Sequence, residues 1–110
     1  MKLKTSKVIY VDVDGTICQN RDDLRDQDIS IAYSDVKPYP DRIAHINSLY
    51  DDGHEIVYWT ARGGTTGKSW RTFTKQQIDN WGCQYTRIEI RRKPSYDLFI
   101  DDKSKRIEEI

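Results

Sequence analysis

The segment Val8-Ile9-Tyr10-Val11-Asp12-Val13-Asp14-Gly15-Thr16 decides the fold class. Its first half is short, rich in β-branched residues and almost continuously apolar, which is typical of a strand buried in a parallel sheet. Asp14-Gly15 is a turn signal, so the strand ends there and leaves two carboxylates, Asp12 and Asp14, at its carboxyl end. The segment therefore predicts an α/β domain with polar functional residues directly after a strand.

Alternation of strand and helix patterns continues along the chain. Pro40 is suited to a first helical position, and apolar residues at helical spacing follow it until Gly53. After the first strand, over 7–13, the predicted elements are a helix over 40–52, a strand over 55–60, a helix capped by Ser69 and closed by Gly82, strands over 85–90 and 96–100, and a short helix over 103–110. This order predicts a Rossmann-like, mainly parallel sheet with flanking helices.

The segment 17–37 is polar and strongly acidic. Ile29 and Ile31 alternate with polar neighbours, which is compatible with a short hairpin or flap that faces a substrate. A solvated loop is the other interpretation of such a run of charges.

Length and composition describe one domain over 1–110, because 110 residues leave no room for a second one. The net charge of zero argues against a general nucleic-acid binder. No stretch approaches the roughly 20 apolar residues of a membrane helix, and no signal peptide is expected at the N-terminus. The two cysteines form neither a metal pattern nor a disulfide framework, so a reducing cytoplasm is the expected setting.

Polar residues follow each predicted strand, and the carboxyl ends of parallel strands meet at one edge of a sheet. These residues are Asp12, Asp14, Thr60, Lys93, Asp101 and Asp102. Carboxylates gathered in this way repel one another, and a divalent cation removes that cost. Oxygen ligands beside a phosphate suit Mg²⁺, so the set predicts phosphoryl transfer.

This set of residues resembles the motifs of the haloacid dehalogenase superfamily. Asp12-Val13-Asp14-Gly15-Thr16 after an apolar strand is similar to the first motif, Thr60 to the second, Lys93-Pro94 to the third, and Leu98-Phe99-Ile100-Asp101-Asp102 to the fourth. All four stand in the family's order, and together they span residues 8–102. The resemblance implies the superfamily's Rossmann-like fold and its aspartate-based phosphatase chemistry.

The resemblance also implies roles for individual residues. Asp12 would be the nucleophile that forms an aspartyl-phosphate, and Asp14 would protonate the leaving oxygen and then activate water. Mg²⁺ would be held by Asp12, by Asp101 and by the main-chain carbonyl of Asp14. Thr60 would donate a hydrogen bond to a phosphoryl oxygen, and Lys93 would neutralise charge on the nucleophile and the phosphoryl group.

Asp102 is expected to hold either a metal-bound water or Lys93. Arg62 and Lys68, in the loop 62–69 after the second strand, are candidates for substrate binding. Neither the segment 17–37 nor the segment 61–92 has room for a cap domain beside its predicted elements, so the resemblance is to a capless member with an open site. At most, a flap from 17–37 or a neighbouring subunit of a homo-oligomer would cover it.

Within the superfamily the chain is most similar to small phosphatases associated with capsular polysaccharide biosynthesis. Residues 46–54, 60–63, 74–82 and 93–103 carry this similarity. It implies a small organic phosphate as substrate, such as a sugar or polyol phosphate.

Two alternatives remain open. Arg91, Arg92 and nearby aromatic residues would suit a phosphatase acting on polynucleotide ends or nucleotides. The segment Arg62 to Ser69 also nearly forms an ATP-binding P-loop, but that motif requires glycine where Arg62 stands. A P-loop module would leave Asp12, Asp14 and Lys93 without a role.

Overall fold

The computed structural model describes residues 6–28, 30, 32–62, 70–90, 98, 100, 101 and 103–110. Across these residues the chain forms a small α/β fold with a three-stranded parallel sheet and flanking helices. The elements are β1 (Val8–Asp12), α1 (Arg21–Arg25), a 3₁₀ turn (Tyr33–Asp35), α2 (Pro40–Asp51), β2 (Glu55–Thr60), α3 (Arg71–Asn80), β3 (Arg87–Ile90) and a second 3₁₀ turn (Ile107–Glu109).

Strand β2 lies between β1 and β3, and both pairings are parallel. In the register, Asp12 is opposite Trp59, and Thr60 is opposite Ile90. The three strands therefore end at the same edge of the sheet, as the sequence predicted. Asp12 and Thr60 are the last residues of the neighbouring strands β1 and β2, and they are one residue out of register with each other.

The hydrophobic core is built from the apolar faces of the sheet and helices. Val57 and Tyr58 of β2 are completely buried. Ile78 of α3 is also completely buried, and Ile46 of α2 is almost completely buried. These residues follow the periodicity from which the strands and helices were predicted. The core continues directly into the turn after β1, where Val13, Ile17 and Cys18 have no exposed surface. The turn that carries the predicted site is thus anchored in the core.

Several predicted elements differ from the structure. Segment 17–37 contains α1 and a 3₁₀ turn rather than a hairpin in its described part, with Ile29 and Ile31 outside it. Of the predicted strand 96–100, only Leu98 and Ile100 are described, and both are exposed and outside any strand. The predicted C-terminal helix is a single 3₁₀ turn.

Among the described residues, no helix combines the length and the apolar character that a membrane crossing requires. The longest, α2, has 12 residues, whereas a span takes about 20.

Candidate active site at the carboxyl edge of the sheet

A tight turn after β1 positions Asp14. The amide of Gly15 donates to the carbonyl of Cys18 over 2.9 Å, and the amides of Thr16 and Ile17 donate to the carbonyl of Val13 over 3.1 and 3.0 Å. Gly15 has a φ of +85°, which a residue with a Cβ adopts only at a cost. The Asp-Gly pair therefore folds the chain back on itself and brings the Asp14 side chain to the edge where β2 ends.

Asp14 is bound there by Arg62, which follows β2 by two residues. Arg62 Nη2 donates to Asp14 Oδ1 over 2.8 Å, and Arg62 Nε donates to Asp14 Oδ2 over 3.1 Å. This is a bidentate arrangement, the geometry that combines strength with fixed orientation. The Arg62 side chain is fully buried, whereas 19% of the Asp14 side chain is exposed. The carboxylate is thus held from the interior and remains reachable from outside.

The other donor group of Arg62 is bound by helix α3. Arg62 Nη1 donates to Gln77 Oε1 over 2.7 Å and lies 3.3 Å from Thr74 Oγ1. Thr74 is fully buried, one helical turn before Ile78. Because all three nitrogens of the guanidinium have acceptors, the buried charge is compensated on every side.

Tyr33, in the first 3₁₀ turn, covers the guanidinium. The ring centroid of Tyr33 lies 4.4 Å from the central carbon of Arg62 and 4.0 Å from that of Arg21. Gln77 links this cover to α3, because its Nε2 donates to the carbonyl of Tyr33 over 2.8 Å. Part of the segment 17–37 therefore packs over the Arg62–Asp14 pair and excludes water from its inner side.

Thr60 is almost completely buried at the end of β2. Its Oγ1 accepts a hydrogen bond from the amide of Arg62 over 3.2 Å. The same atom lies 3.5 Å from Asp14 Oδ2, which is long for a bond between two oxygens. The hydroxyl proton of Thr60 is therefore only weakly engaged by Asp14, and its donor capacity suits the predicted contact to a phosphoryl oxygen.

Cys18 is the thiol next to this site, with its Sγ 3.7 Å from Asp14 Oδ1. Burial raises the pKa of the Cys18 thiol to about 12, and the negative charge of Asp14 acts in the same direction. A thiol reacts as a nucleophile in its deprotonated form, so Cys18 is suited to packing rather than to catalysis.

The structure brings together three of the predicted site residues, namely Asp14, Thr60 and Arg62, and it places Asp12 at the end of β1 next to the last residues of β2. Asp101 is exposed and accepts a hydrogen bond from Ser104 Oγ over 3.2 Å. Lys68, Lys93 and Asp102 lie outside the described residues. Their roles stay predictions.

The Mg²⁺ expected from the resemblance needs oxygen donors. In the part of the chain that the structure describes, no three His, Cys, Asp or Glu side chains form a group able to hold a metal ion. The predicted set is of another kind, with two carboxylates, Asp12 and Asp101, and the main-chain carbonyl of Asp14. The structure fits this choice in one respect: the Asp14 carboxylate is bound by Arg62, which leaves its main-chain carbonyl as the group to offer a cation.

Sequence reasoning missed Tyr33, Thr74 and Gln77 as parts of the site. A signal for two of them was present, because Thr74 and Gln77 interrupt an otherwise apolar helical stripe with Phe73, Ile78 and Trp81. Polar residues on the buried face of a helix need hydrogen-bond partners. This helix comes directly after the loop that follows Thr60 and contains Arg62, so partners near that strand end were to be expected. Tyr33 carried no comparable signal, since its neighbours are polar and irregularly spaced.

Comparison of the chain with protein-family models and with curated proteins found no match. Among solved structures, the chain is similar to a protein from Vibrio cholerae that is described as an MCSG target. The two share 26% sequence identity and superpose with a TM-score of 0.73, over 96% of this chain and 86% of the other. The similarity supports the α/β fold over nearly the whole chain, and the description names no activity.

Proposed function

We propose that this protein is a capless phosphatase of the haloacid dehalogenase type, which hydrolyses a small organic phosphate with Mg²⁺ through an aspartyl-phosphate. The observation that carries the proposal is the position of Asp12, Asp14 and Thr60 at adjoining ends of β1 and β2. Two carboxylates and a buried hydroxyl at one edge of a parallel sheet suit nucleophilic attack on a phosphoryl group.

In the proposed first step, a carboxylate oxygen of Asp12 attacks phosphorus. The bond from phosphorus to the ester oxygen breaks, and Asp14 gives that oxygen the proton that it took from water in the preceding turnover. In the second step, water attacks the phosphorus of the aspartyl-phosphate and gives a proton to Asp14. Inorganic phosphate leaves, and the Asp12 carboxylate is restored.

Thr60, Lys93 and Mg²⁺ would assist the transfer in different ways. Thr60 adds a hydrogen-bond donor without adding charge, which suits a group that is already negative. Lys93 is proposed to neutralise charge on the phosphoryl group. Mg²⁺, held by Asp12, Asp101 and the Asp14 carbonyl, would balance the negative charge that gathers during the transfer.

The alternative substrates share this chemistry. A nucleotide or a phosphorylated polynucleotide end presents the same phosphomonoester as a sugar or polyol phosphate. The ATP-binding alternative rests on the segment 62–69, of which only Arg62 is among the described residues. It predicts that Lys68→Ala removes ATP affinity while Asp12→Asn has no effect on it.

The test is phosphate release from a panel of phosphomonoesters. The panel contains sugar, polyol and nucleotide phosphates, a phosphorylated oligonucleotide and p-nitrophenyl phosphate. We expect turnover with Mg²⁺, none in EDTA, and restoration on adding Mg²⁺. Asp12→Asn should lower kcat by several powers of ten, as loss of a nucleophile does.

The matched control is Asp79→Asn, the same chemical change at an exposed residue of α3. It should keep the wild-type rate. Full turnover in EDTA, or wild-type kcat for Asp12→Asn, would contradict the proposed mechanism.

A further inference from the structure

The buried Arg62 contacts Asp14 more extensively than any other described side chain does. Its three nitrogens all face protein acceptors, and none of its side-chain surface is exposed. A substrate contact through Arg62 would require one of these bonds to break. The sequence-based expectation of a substrate ligand therefore gives way to a different role for Arg62.

We propose that Arg62 is a positioning residue, which holds the Asp14 carboxylate in the orientation that proton transfer requires. The inference rests on the proposed phosphatase function. A bidentate guanidinium fixes both oxygens of the carboxylate, so rotation of the side chain is restricted. Apart from Arg62, the Asp14 oxygens have only the long contacts to Cys18 and Thr60, and the exposed fifth of the side chain is where a leaving oxygen or a water reaches it.

Arg62 is itself held from two directions. Gln77 accepts from Nη1 over 2.7 Å, and Tyr33 stacks on the guanidinium from the segment 17–37. The main-chain amide of Arg62 also donates to Thr60 Oγ1. Through these contacts the position of Asp14 depends on β2, on α3 and on the covering 3₁₀ turn. Such supporting contacts matter because a displacement of about 1 Å in a catalytic group lowers rates by about 10²-fold.

The dependence of kcat/KM on the leaving group distinguishes an Arg62 that acts through Asp14 from an Arg62 that only stabilises the fold. Phenyl phosphate and p-nitrophenyl phosphate have almost the same shape, but phenolate is the stronger base and its departure depends more on protonation. Values of kcat/KM report the steps up to the first phosphoryl transfer. A misplaced acid should therefore slow phenyl phosphate more than p-nitrophenyl phosphate.

The experiment compares Arg62→Lys and Arg62→Gln with the wild type on these two substrates. Lysine keeps the charge but cannot form the bidentate contact. We expect kcat/KM to fall by at least about tenfold more for phenyl phosphate than for p-nitrophenyl phosphate. The difference should not exceed the roughly 10²–10⁴-fold that general acid catalysis contributes in total. The matched control is Arg87→Lys, the same change at an exposed residue of β3, which should alter neither value.

A double-mutant comparison identifies the residue through which Arg62 acts. In an Asp14→Asn background, Arg62→Lys should cause no further loss, because the group that it positions is gone. A further loss of tenfold or more would show direct contact with the substrate and overturn the proposal. An equal loss on both substrates would indicate a structural role and also overturn it.

A second variant guards against misfolding at the buried site. Gln77→Met removes the acceptor of Arg62 Nη1 without touching Asp14. Its kcat/KM should also fall more for phenyl phosphate than for p-nitrophenyl phosphate, but by a smaller factor than in the Arg62 variants. An unchanged ratio of the two kcat/KM values would contradict the proposal. Absence of turnover by the wild type would overturn the phosphatase function itself, whereas an unaltered ratio in active Arg62 and Gln77 variants would overturn this inference alone.

Discussion

Replacing Asp14 by asparagine tests the buried ion pair through stability, independently of any substrate. The change keeps the shape of the side chain and removes the charge that faces Arg62. The Arg62 guanidinium then stays buried with neutral acceptors only, from asparagine, Thr74 and Gln77. A buried charge without its counter-ion is costly, so the free energy of unfolding should fall.

The size of the loss follows from the burial of the two side chains. Removing one partner of a buried ion pair commonly costs about 3–5 kcal/mol. Here Arg62 is fully buried, but Asp14 is 19% exposed, and asparagine still offers one oxygen acceptor. We therefore expect a loss of about 2–3 kcal/mol, which corresponds to a fall in Tm of roughly 10 °C for a domain of this size.

The chain contains a matched control for this measurement. Lys75 Nζ and Asp79 Oδ2 are also 2.8 Å apart, but their side chains are 59% and 41% exposed. Asp79→Asn should cost less than about 1 kcal/mol, since exposed ion pairs contribute little. Urea unfolding of wild type and both variants, in EDTA so that no bound metal adds stability, gives the two differences directly.

Two results would refute this reasoning. Equal or higher stability of Asp14→Asn would mean that repulsion between Asp14 and Asp12 outweighs the attraction of Arg62. Equal losses for the Asp14 and Asp79 variants would mean that burial does not set the strength of the pair.

Further predictions concern the turn after β1 and the thiol beside it. Gly15→Ala should lower stability by about 1–2 kcal/mol through the positive φ and also lower kcat/KM, because the turn positions Asp14. Gly82→Ala, at φ +79° with open space around its Cα, should cost about the same stability and leave kcat/KM unchanged; activity loss in both variants would contradict the prediction. Because burial raises the pKa of Cys18 to about 12 while an unfolded thiol titrates near 8.5, the unfolded state loses this proton first. The free energy of unfolding should therefore fall between about pH 9 and 12, by up to about 1.4 kcal/mol per pH unit, and Cys18→Ala should reduce that slope; an unchanged slope would count against the assignment.

Local pattern was sufficient for the elements that build the core. The strands Val8–Asp12 and Glu55–Thr60 and the helix Pro40–Asp51 agree with their predicted ranges to within one residue. Each has a strong apolar periodicity and a clear terminator, so local and tertiary preferences agree. Strand β3 begins at Arg87 although the predicted alternation starts at Tyr85, and Tyr85 packs edge-on against Tyr58 before the strand begins.

Weaker segments could not be predicted in the same way. The charged segment 103–110 forms only one 3₁₀ turn, because short helices gain too little from hydrogen bonds alone. Helix α1 had a usable signal in Asn20, whose side chain accepts from the amide of Asp22. The bond from Arg62 to Asp14 joins residues 48 positions apart, and no local pattern encodes such a contact.

The central claim is that Asp12 carries the phosphoryl group, and trapping that group tests it most directly. Asp14→Asn keeps the nucleophile but lacks the base that activates water, so the covalent intermediate should accumulate. The variant would be mixed with phosphate-labelled p-nitrophenyl phosphate and Mg²⁺, below its lowered Tm, and quenched in acid within milliseconds to seconds. We predict that label is recovered on the peptide containing Asp12 and is absent from Asp12→Asn. Label on Asp14 or Asp101 in the wild type, or turnover by Asp12→Asn at the wild-type rate, would contradict the account.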